Sequence, residues 1–316
     1  MDNNTRQEQP YNHFGSYLNK LFGCRVQKIS LDAGLTCPNR DGTKGTGGCL
    51  YCDAQGSGTG AYLKCPSVRQ QILQGKSFLK SRYGAKKFIA YFQSFSNTYA
   101  PLKILKPLYR EALSVEDVIG LSVGTRPDCI SPEILDLLAG FQDSHLIWIE
   151  YGLQSFHPRT LELINRGHTI EDFIQAVEET RKRNINICVH VILGLPGEGL
   201  EECLFTADRL AELDIQGLKI HSLYINRGTL LEAWYRQGKY TPLLQDQYVD
   251  WVCRFLEHCP PHWIIQRLTG DPNPGQLVAP SWALKKQETL KMIQSRFRKT
   301  GGFQGAKWEG RENDKK

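Results

Sequence analysis

"INICVHVILGLPGEGLEECLFTADRLAELDIQGLKIHSLYI", residues 185–225, carries the pattern that decides the fold. It opens with a β-branched, apolar run, the composition of a strand buried on both faces. A turn rich in glycine, GLPGEG, follows at 194–199. The stretch 201–213 has helical character, and 217–225 returns to an apolar strand pattern. Strand, helix and strand in so short a span predict parallel strands joined by a crossover helix.

The same alternation runs upstream. Strand patterns occur at 25–31, 87–93, 118–125 and 146–154, with helical stretches near 67–82, 101–113, 132–140, 158–165 and 170–183. Pro132 and Pro158 follow Ser131 and His157, as expected just inside helix starts. Six strand–helix units predict an α/β fold with a parallel sheet. A complete eight-unit barrel needs about 250 residues, so a partial barrel or an open doubly wound sheet fits better. The expected organisation is an N-terminal segment (1–24), the strand–helix unit (25–225) and a C-terminal extension with a basic tail (226–316). Within that extension two helical stretches precede a strand and a Pro/Gly-rich loop, a segment expected to close the barrel side or to carry specificity.

The strand patterns end in polar residues: Gln93, Thr125 with Arg126, Glu150 with Gln154, His190, and Lys219 with His221. Parallel folds place their sites at the carboxyl ends of strands, so these ends predict a shared cleft.

Composition is that of an ordinary globular protein, with 41% hydrophobic and 23% charged residues among 316. No apolar run approaches a membrane span, and the start, MDNNTRQEQPYNHFG, lacks the features of a secretion signal. A cytoplasmic protein with reduced thiols is expected. Its ten cysteines are then no disulfide framework, and Cys188 and Cys203 read as small buried apolar residues. Residues 285–316 hold ten lysines and arginines against four acids, a difference equal to the whole net charge of +6. Such a tail suits a polyanion or simply a solvated surface.

Cys37, Cys49 and Cys52 directly follow the first strand pattern, in TCPNRDGTKGTGGCLYC at 36–52. Three chemistries compete for them. A structural zinc wants four ligands, for which Cys24 or Cys65 would have to be the fourth. A redox dithiol uses only Cys49 and Cys52. A four-iron cluster held by three thiolates leaves one iron open for a substrate or cofactor. This last reading accounts for the count of thiols, and also for Gly42, Gly45, Gly47 and Gly48, whose backbone can approach a metal centre closely.

The three-cysteine loop with Tyr51 before its last cysteine resembles the radical S-adenosylmethionine superfamily, and its long first gap resembles the elongator-catalytic-subunit-like branch. Further motifs are AYFQSFSNTYAP, VGTRPDCI, EYGLQSFHPRTLELINRGH, VHVILGLPGEG, KIHSLYINRGTLLEAWYRQG and RLTGDPNPGQLVAPSW. Together, over about residues 11 to 308, they resemble the YhcC/YtqA family, nearer its YtqA side.

The resemblance implies a partial (β/α)6 TIM-like radical SAM barrel. It implies a [4Fe–4S] cluster on Cys37, Cys49 and Cys52, whose open iron chelates S-adenosyl-L-methionine (SAM), and reductive cleavage of SAM to a 5′-deoxyadenosyl radical. By motif, Tyr51 would lie near the adenine and Gln93 near the methionine amino group. Thr125, Arg126, Gln154, Arg166 and His190 fall where related enzymes hold ribose and carboxylate, and Lys219 and His221 are substrate-side candidates. Ion pairing is the alternative reading of Arg126 and Arg166, and His190 reads equally as a core histidine. At 221–224 the chain has HSLY where the family pattern reads H-P-L-H. The YtqA branch implies a tRNA substrate, with conversion of carboxymethylaminomethyl at C5 of the wobble uridine toward aminomethyl. An electron donor of flavodoxin or ferredoxin type is implied, and no membrane. The rival readings are a radical enzyme with a non-tRNA substrate, and a zinc-stabilised RNA-binding protein.

Overall fold

A computed structural model describes residues 9–56, 58 and 61–310. Residues 1–8 of the expected N-terminal segment and 311–316 of the basic tail lie outside the described residues. The strands are β1 (Val26–Leu31), β2 (Lys87–Phe92), β3 (Val118–Thr125), β4 (Leu146–Gln154), β5 (Asn186–Leu193), β6 (Gly217–Ser222), β7 (Ile225–Asn226), β8 (Ile264–Arg267) and β9 (Leu277–Ala279). Seven of them form one parallel sheet in the order β1-β2-β3-β4-β5-β6-β8, and β7 pairs antiparallel with β9.

The helices are α1 (Phe14–Phe22), α2 (Ala61–Lys64), α3 (Val68–Tyr83), α4 (Leu102–Leu113), α5 (Pro132–Ala139), α6 (Pro158–Leu163), α7 (Ile170–Arg181), α8 (Leu200–Ala211), α9 (Leu230–Arg236), α10 (Gln245–His258) and α11 (Lys286–Thr300). Local chemistry sets their ends. The Ser67 side chain accepts from the Gln70 N–H to start α3, and Ser131 accepts from Ile134 to start α5. Thr169 and Asp172 form a reciprocal capping box on α7.

The sheet curls. Lys28 of β1 donates to the Gln266 side chain of β8 at 2.6 Å, although these strands lie at opposite ends of the order. In a flat sheet six spacings of about 4.8 Å would hold them nearly 30 Å apart. The architecture is therefore an α/β partial barrel. The first helix closes its amino end: Phe14 meets Trp148 edge-on at 6.0 Å, over a cluster that includes Leu18, Val26, Ile89 and Ile264.

Two details depart from the sequence reading. The strand expected over 217–225 breaks after Ser222, because Leu223 and Tyr224 leave the sheet before β7 begins. The strand expected in the C-terminal extension joins the parallel sheet as β8, alongside β6, so the sheet has seven strands where six strand–helix units were expected. The outer edge of β8 is capped by the N-terminal segment, where Ile265 donates to the Asn12 carbonyl at 2.8 Å.

Charge is concentrated in a second place besides the tail. Residues 54–110 contain ten lysines and arginines and no acid, balanced by acids elsewhere in the chain. Lys80 and Arg82 on α3 and Lys103, Lys106 and Arg110 on α4 are exposed, and none has a carboxylate partner among the described residues. On α4 the spacing 103, 106, 110 sets the three on one helix face.

Candidate active site

The cysteine loop leaves β1 and folds over the carboxyl end of the barrel. Its turns are short-range: Arg40 donates to the Cys37 carbonyl and Cys52 to the Cys49 carbonyl, both at 2.9 Å. Gly48 has φ +81°, in the left-handed region, and a Cβ there would fall 2.8 Å from Arg40 Nε. Only glycine meets both demands. The segment after β4 clamps the loop from the other side. Asn165 donates to the Gly48 carbonyl at 2.8 Å, and Leu50 donates to the Ile164 carbonyl at 2.9 Å.

A cavity of about 630 Å³ opens at this end of the barrel. Cys37, Cys49, Tyr51 and Cys52 line it, as do Gln93, Thr125, Arg126, Gln154, Arg166, His190 and His221. The geometry thus brings together eleven of the twelve residues singled out as ligand, cofactor or substrate contacts. Lys219 does not line the cavity. It lies beneath it, buried, with its ammonium ion-paired to Glu150 and 4.1 Å from the centre of the Tyr91 ring.

Arg166 ties the cysteine loop to the barrel. Its Nη1 lies 3.6 Å from Cys49 Sγ, while Nε and Nη2 donate to the Gly152 carbonyl at 3.2 and 2.7 Å. A Cβ on Gly152 would fall 2.8 Å from Arg166 Nη2, so this glycine gives the guanidinium its path. Burial opposes the Arg166 charge, but the Cys49 thiol and the Tyr51 hydroxyl beside it raise the guanidinium above its ordinary range. Asn39 Nδ2, 3.8 Å away, also faces Cys49 Sγ. Arg126 supports the same wall by donating to the Arg166 carbonyl at 2.6 Å and bidentately to Asp128 at 2.9 and 2.8 Å. Burial would raise the Asp128 carboxyl, but Arg126 and Lys44 outweigh it and hold it at about 2.

The remaining wall residues are positioned by strand ends. Gln93 accepts from Ser30 at 3.1 Å, and Thr125 shares a 2.6 Å hydroxyl contact with Thr98. Gln154 has φ +80°, unusual for a residue with a side chain, at the point where the β4–β5 register shifts.

A polar layer lies below the cavity. Glu150 accepts from Lys28 at 2.5 Å and from His190 Nε2 at 2.7 Å, besides Ser122 and Lys219. Burial alone would raise the Glu150 carboxyl, but Lys219 and Lys28 hold it well below its usual range. Burial and the neighbouring Lys219 draw His190 down to about 4, so the imidazole is neutral and donates through Nε2. Glu150, Cys188 and His190 bring ligand atoms within 4.8 Å of one another, but two ammonium groups already occupy the carboxylate. Glu150 was expected among the strand ends that face the cleft, but Lys28 was not. The signal for Lys28 was a charged side chain inside the apolar strand pattern RVQKISL.

The thiols fit an iron–sulfur cluster better than zinc. A single zinc with bonds of about 2.3 Å draws tetrahedral sulfurs to about 3.8 Å from one another. Cys37, Cys49 and Cys52 do not form a group whose sulfurs all lie within 4.8 Å. The suggested fourth zinc ligands are also elsewhere. Cys24 packs with the helix closing the amino end of the barrel, and Cys65 turns toward Gln70 and the start of α3. All ten cysteines are free.

Comparison with known proteins agrees with this geometry. The radical SAM superfamily model matches residues 40–210, and the model of the Radical_SAM C-terminal domain matches 215–299. The chain is 40% identical to YtqA of Bacillus subtilis (strain 168), across 94% of this chain and 92% of that protein. It is 34% identical to YhcC of Escherichia coli (strain K12), across 93% and 94%. A tRNA uridine(34) acetyltransferase of Dehalococcoides mccartyi (strain CBDB1) is 27% identical over 48% of this chain and 33% of its own length. Among solved structures, archaeal Elp3 of Methanocaldococcus infernus superposes with a TM-score of 0.65 at 16% identity, covering 87% of this chain and 63% of that one.

Proposed function

The chain belongs to the radical S-adenosylmethionine superfamily, together with YtqA and YhcC, and we propose that it modifies the wobble uridine of tRNA. It is an enzyme whose cofactors are a [4Fe–4S] cluster and SAM. We assign the cluster to Cys37, Cys49 and Cys52, and SAM to the wall formed by Tyr51, Gln93, Thr125, Arg126, Gln154, Arg166 and His190. The observation that carries this assignment is the convergence of three free thiols and these side chains on one cavity, with the Arg166 guanidinium against Cys49 Sγ.

Bound together, the cofactors supply a 5′-deoxyadenosyl radical that takes a hydrogen atom from substrate. The protein's own residues do the positioning. Arg166 and Asn39 direct N–H groups at a ligand sulfur, which favours the electron-rich form of a cluster. Gln93 and Thr125 present hydrogen-bonding groups from neighbouring strand ends. Tyr51, held between two of the cysteines in sequence, offers an aromatic face to the adenine. His190, neutral and fixed by Glu150, adds no charge to the cavity and holds its proton on Nε2.

The tRNA reading rests on two supports. One is the relationship to a tRNA uridine(34) acetyltransferase. The other is the exposed set of Lys80, Arg82, Lys103, Lys106 and Arg110 on α3 and α4, suited to phosphates, with Glu111 the one acid of these two helices. The step proposed is conversion of carboxymethylaminomethyluridine toward aminomethyluridine. Loss of a hydrogen atom from the carboxymethyl carbon, then of one electron and a proton, gives an imine. Its hydrolysis breaks the N–C bond and releases glyoxylate. A flavodoxin- or ferredoxin-like donor in the cytoplasm would supply the electron that cleaves SAM, and the electron that the substrate gives up would pass to the oxidised cluster. Among the described residues no helix is long and apolar enough to cross a membrane. We further assign residues 25–225 as the catalytic barrel and 226–316 as the extension that completes its wall.

Mass spectrometry of tRNA nucleosides from cells with and without the gene tests the function. Accumulation of carboxymethylaminomethyluridine in the deletion strain is expected. An unchanged nucleoside profile would remove tRNA as substrate and leave a radical enzyme acting on another molecule.

A further inference from the structure

The barrel's polar layer contains more positive than negative charge. Glu150 is its one buried carboxylate, and it already serves Lys28 and Lys219. Arg267 of β8, register partner of Lys219, adds a third cation and lines the cavity. Among the described residues its guanidinium has no ion-pair or hydrogen-bond partner. Its charge acts on Tyr91, His190 and His221 from the same enclosure. The cavity's other carboxylates, Asp53 and Asp271, are engaged by Asn226 and Lys286, each at 2.8 Å.

A second observation points to the same place. His221 lines the cavity with its rings 5.1 Å from His190, and its buried Nε2 has no hydrogen-bond partner among the described residues. The half-buried Arg267 guanidinium thus lines the cavity with the buried, unsatisfied His221 Nε2, and a ligand bringing an acceptor would satisfy both. Both lie on β6 and β8, while the thiols lie on the loop that follows β1.

We infer that Arg267 and His221 form the anion-binding end of the substrate subsite, taking a carboxylate carried by the group that the enzyme modifies. This rests on the wobble-uridine reading for the identity of the substrate, whose carboxymethyl group carries such a charge, but not for the presence of the site. Arg267 fixes the carboxylate through paired N–H donors, and His221 Nε2–H donates beside it. Arg267 is thus a specificity-determining residue: a substituent without the carboxylate leaves the guanidinium unpaired.

The test measures binding to the full-length, anaerobically reconstituted enzyme loaded with SAM. Two matched pairs of probes are used: 5-carboxymethylaminomethyluridine against its methyl ester, which lacks the carboxylate, and acetate against acetamide. The wild type is expected to prefer the acid of each pair by tenfold or more. Arg267→Gln should erase the preference and Arg267→Lys should keep part of it, while the change that SAM induces in the cluster's electron paramagnetic resonance spectrum stays intact. Preference for acetate alone, lost in Arg267→Gln, would keep the anion site and remove the wobble-uridine reading. No charge preference in either pair overturns the proposal, as does an equal loss of the SAM signal in Arg267→Gln, which would give the residue to SAM instead.

Discussion

Arg166 Nη1 lies 3.6 Å from Cys49 Sγ, and the same guanidinium grips the Gly152 carbonyl on β4 at 2.7 Å. One buried side chain therefore ties the cysteine loop to the centre of the sheet. Its positive charge sits against the sulfur on which the proposed cluster depends.

Replacing Arg166 by Gln removes that charge and the N–H aimed at sulfur. The cluster's reduction potential should become more negative, and SAM should bind more weakly. Potentiometric titration followed by electron paramagnetic resonance measures the first effect. An unchanged potential would mean that Arg166 serves only as a structural tie.

Gly152→Ala tests the same contact sterically. The added methyl would meet Gln154 Nε2 at 2.7 Å and Arg166 Nη2 at 2.8 Å, so one of them must move. We expect a lower iron and sulfide content per chain after reconstitution, with the sheet still folded by circular dichroism. Wild-type iron content would show that Arg166 can yield without loss to the loop.

Glu150→Gln leaves Lys28 and Lys219 without their shared counter-charge. Breaking a buried pair in this way costs about 3–5 kcal/mol, a loss that urea denaturation would detect. Pairing it with Lys219→Met should recover part of the loss, because one uncompensated ammonium is then gone. A fully additive double mutant would contradict the proposed coupling.

The Asp128 carboxyl is held at about 2, against 3.8 for the free group, so the folded state binds its proton less readily. Its stabilisation is present in full above pH 3.8 and is lost as pH falls toward about 2. Asp128→Asn should therefore flatten the dependence of stability on pH across that window, and lower stability above it. Thermal melts between pH 2 and 6 provide the check.

Charge reversal on α4 addresses RNA binding. Lys103→Glu with Lys106→Glu should weaken tRNA binding and reduce the slope of log affinity against log salt by about 1 for each lost phosphate contact. Filter binding at several salt concentrations measures both. An unchanged slope would place the RNA elsewhere, with the basic residues of α11 as the next candidates.

Much of this arrangement was legible in the sequence because local patterns encode it. The strand–helix alternation between 25 and 225 and the prolines at 132 and 158 mark elements whose hydrogen bonds are short-range. The cysteine spacing likewise belongs to one loop. What was not legible depends on closure of the sheet. Lys28 and Gln266 meet only because strands 238 residues apart in sequence curl together. Lys219 points inward as expected, but Tyr91 and Glu150 bury it below the cavity, which no spacing within its own strand reveals. The break after Ser222 likewise follows from β7 finding β9, a partner more than fifty residues away in a loop without helical or strand periodicity.

The most direct measurement is a single-turnover reaction of the reconstituted enzyme with SAM, a reductant and tRNA carrying carboxymethylaminomethyluridine. We predict 5′-deoxyadenosine and aminomethyluridine formed in parallel, with both products lost in Cys49→Ala and retained in Cys65→Ala. Formation of 5′-deoxyadenosine with the tRNA left unchanged would contradict the account.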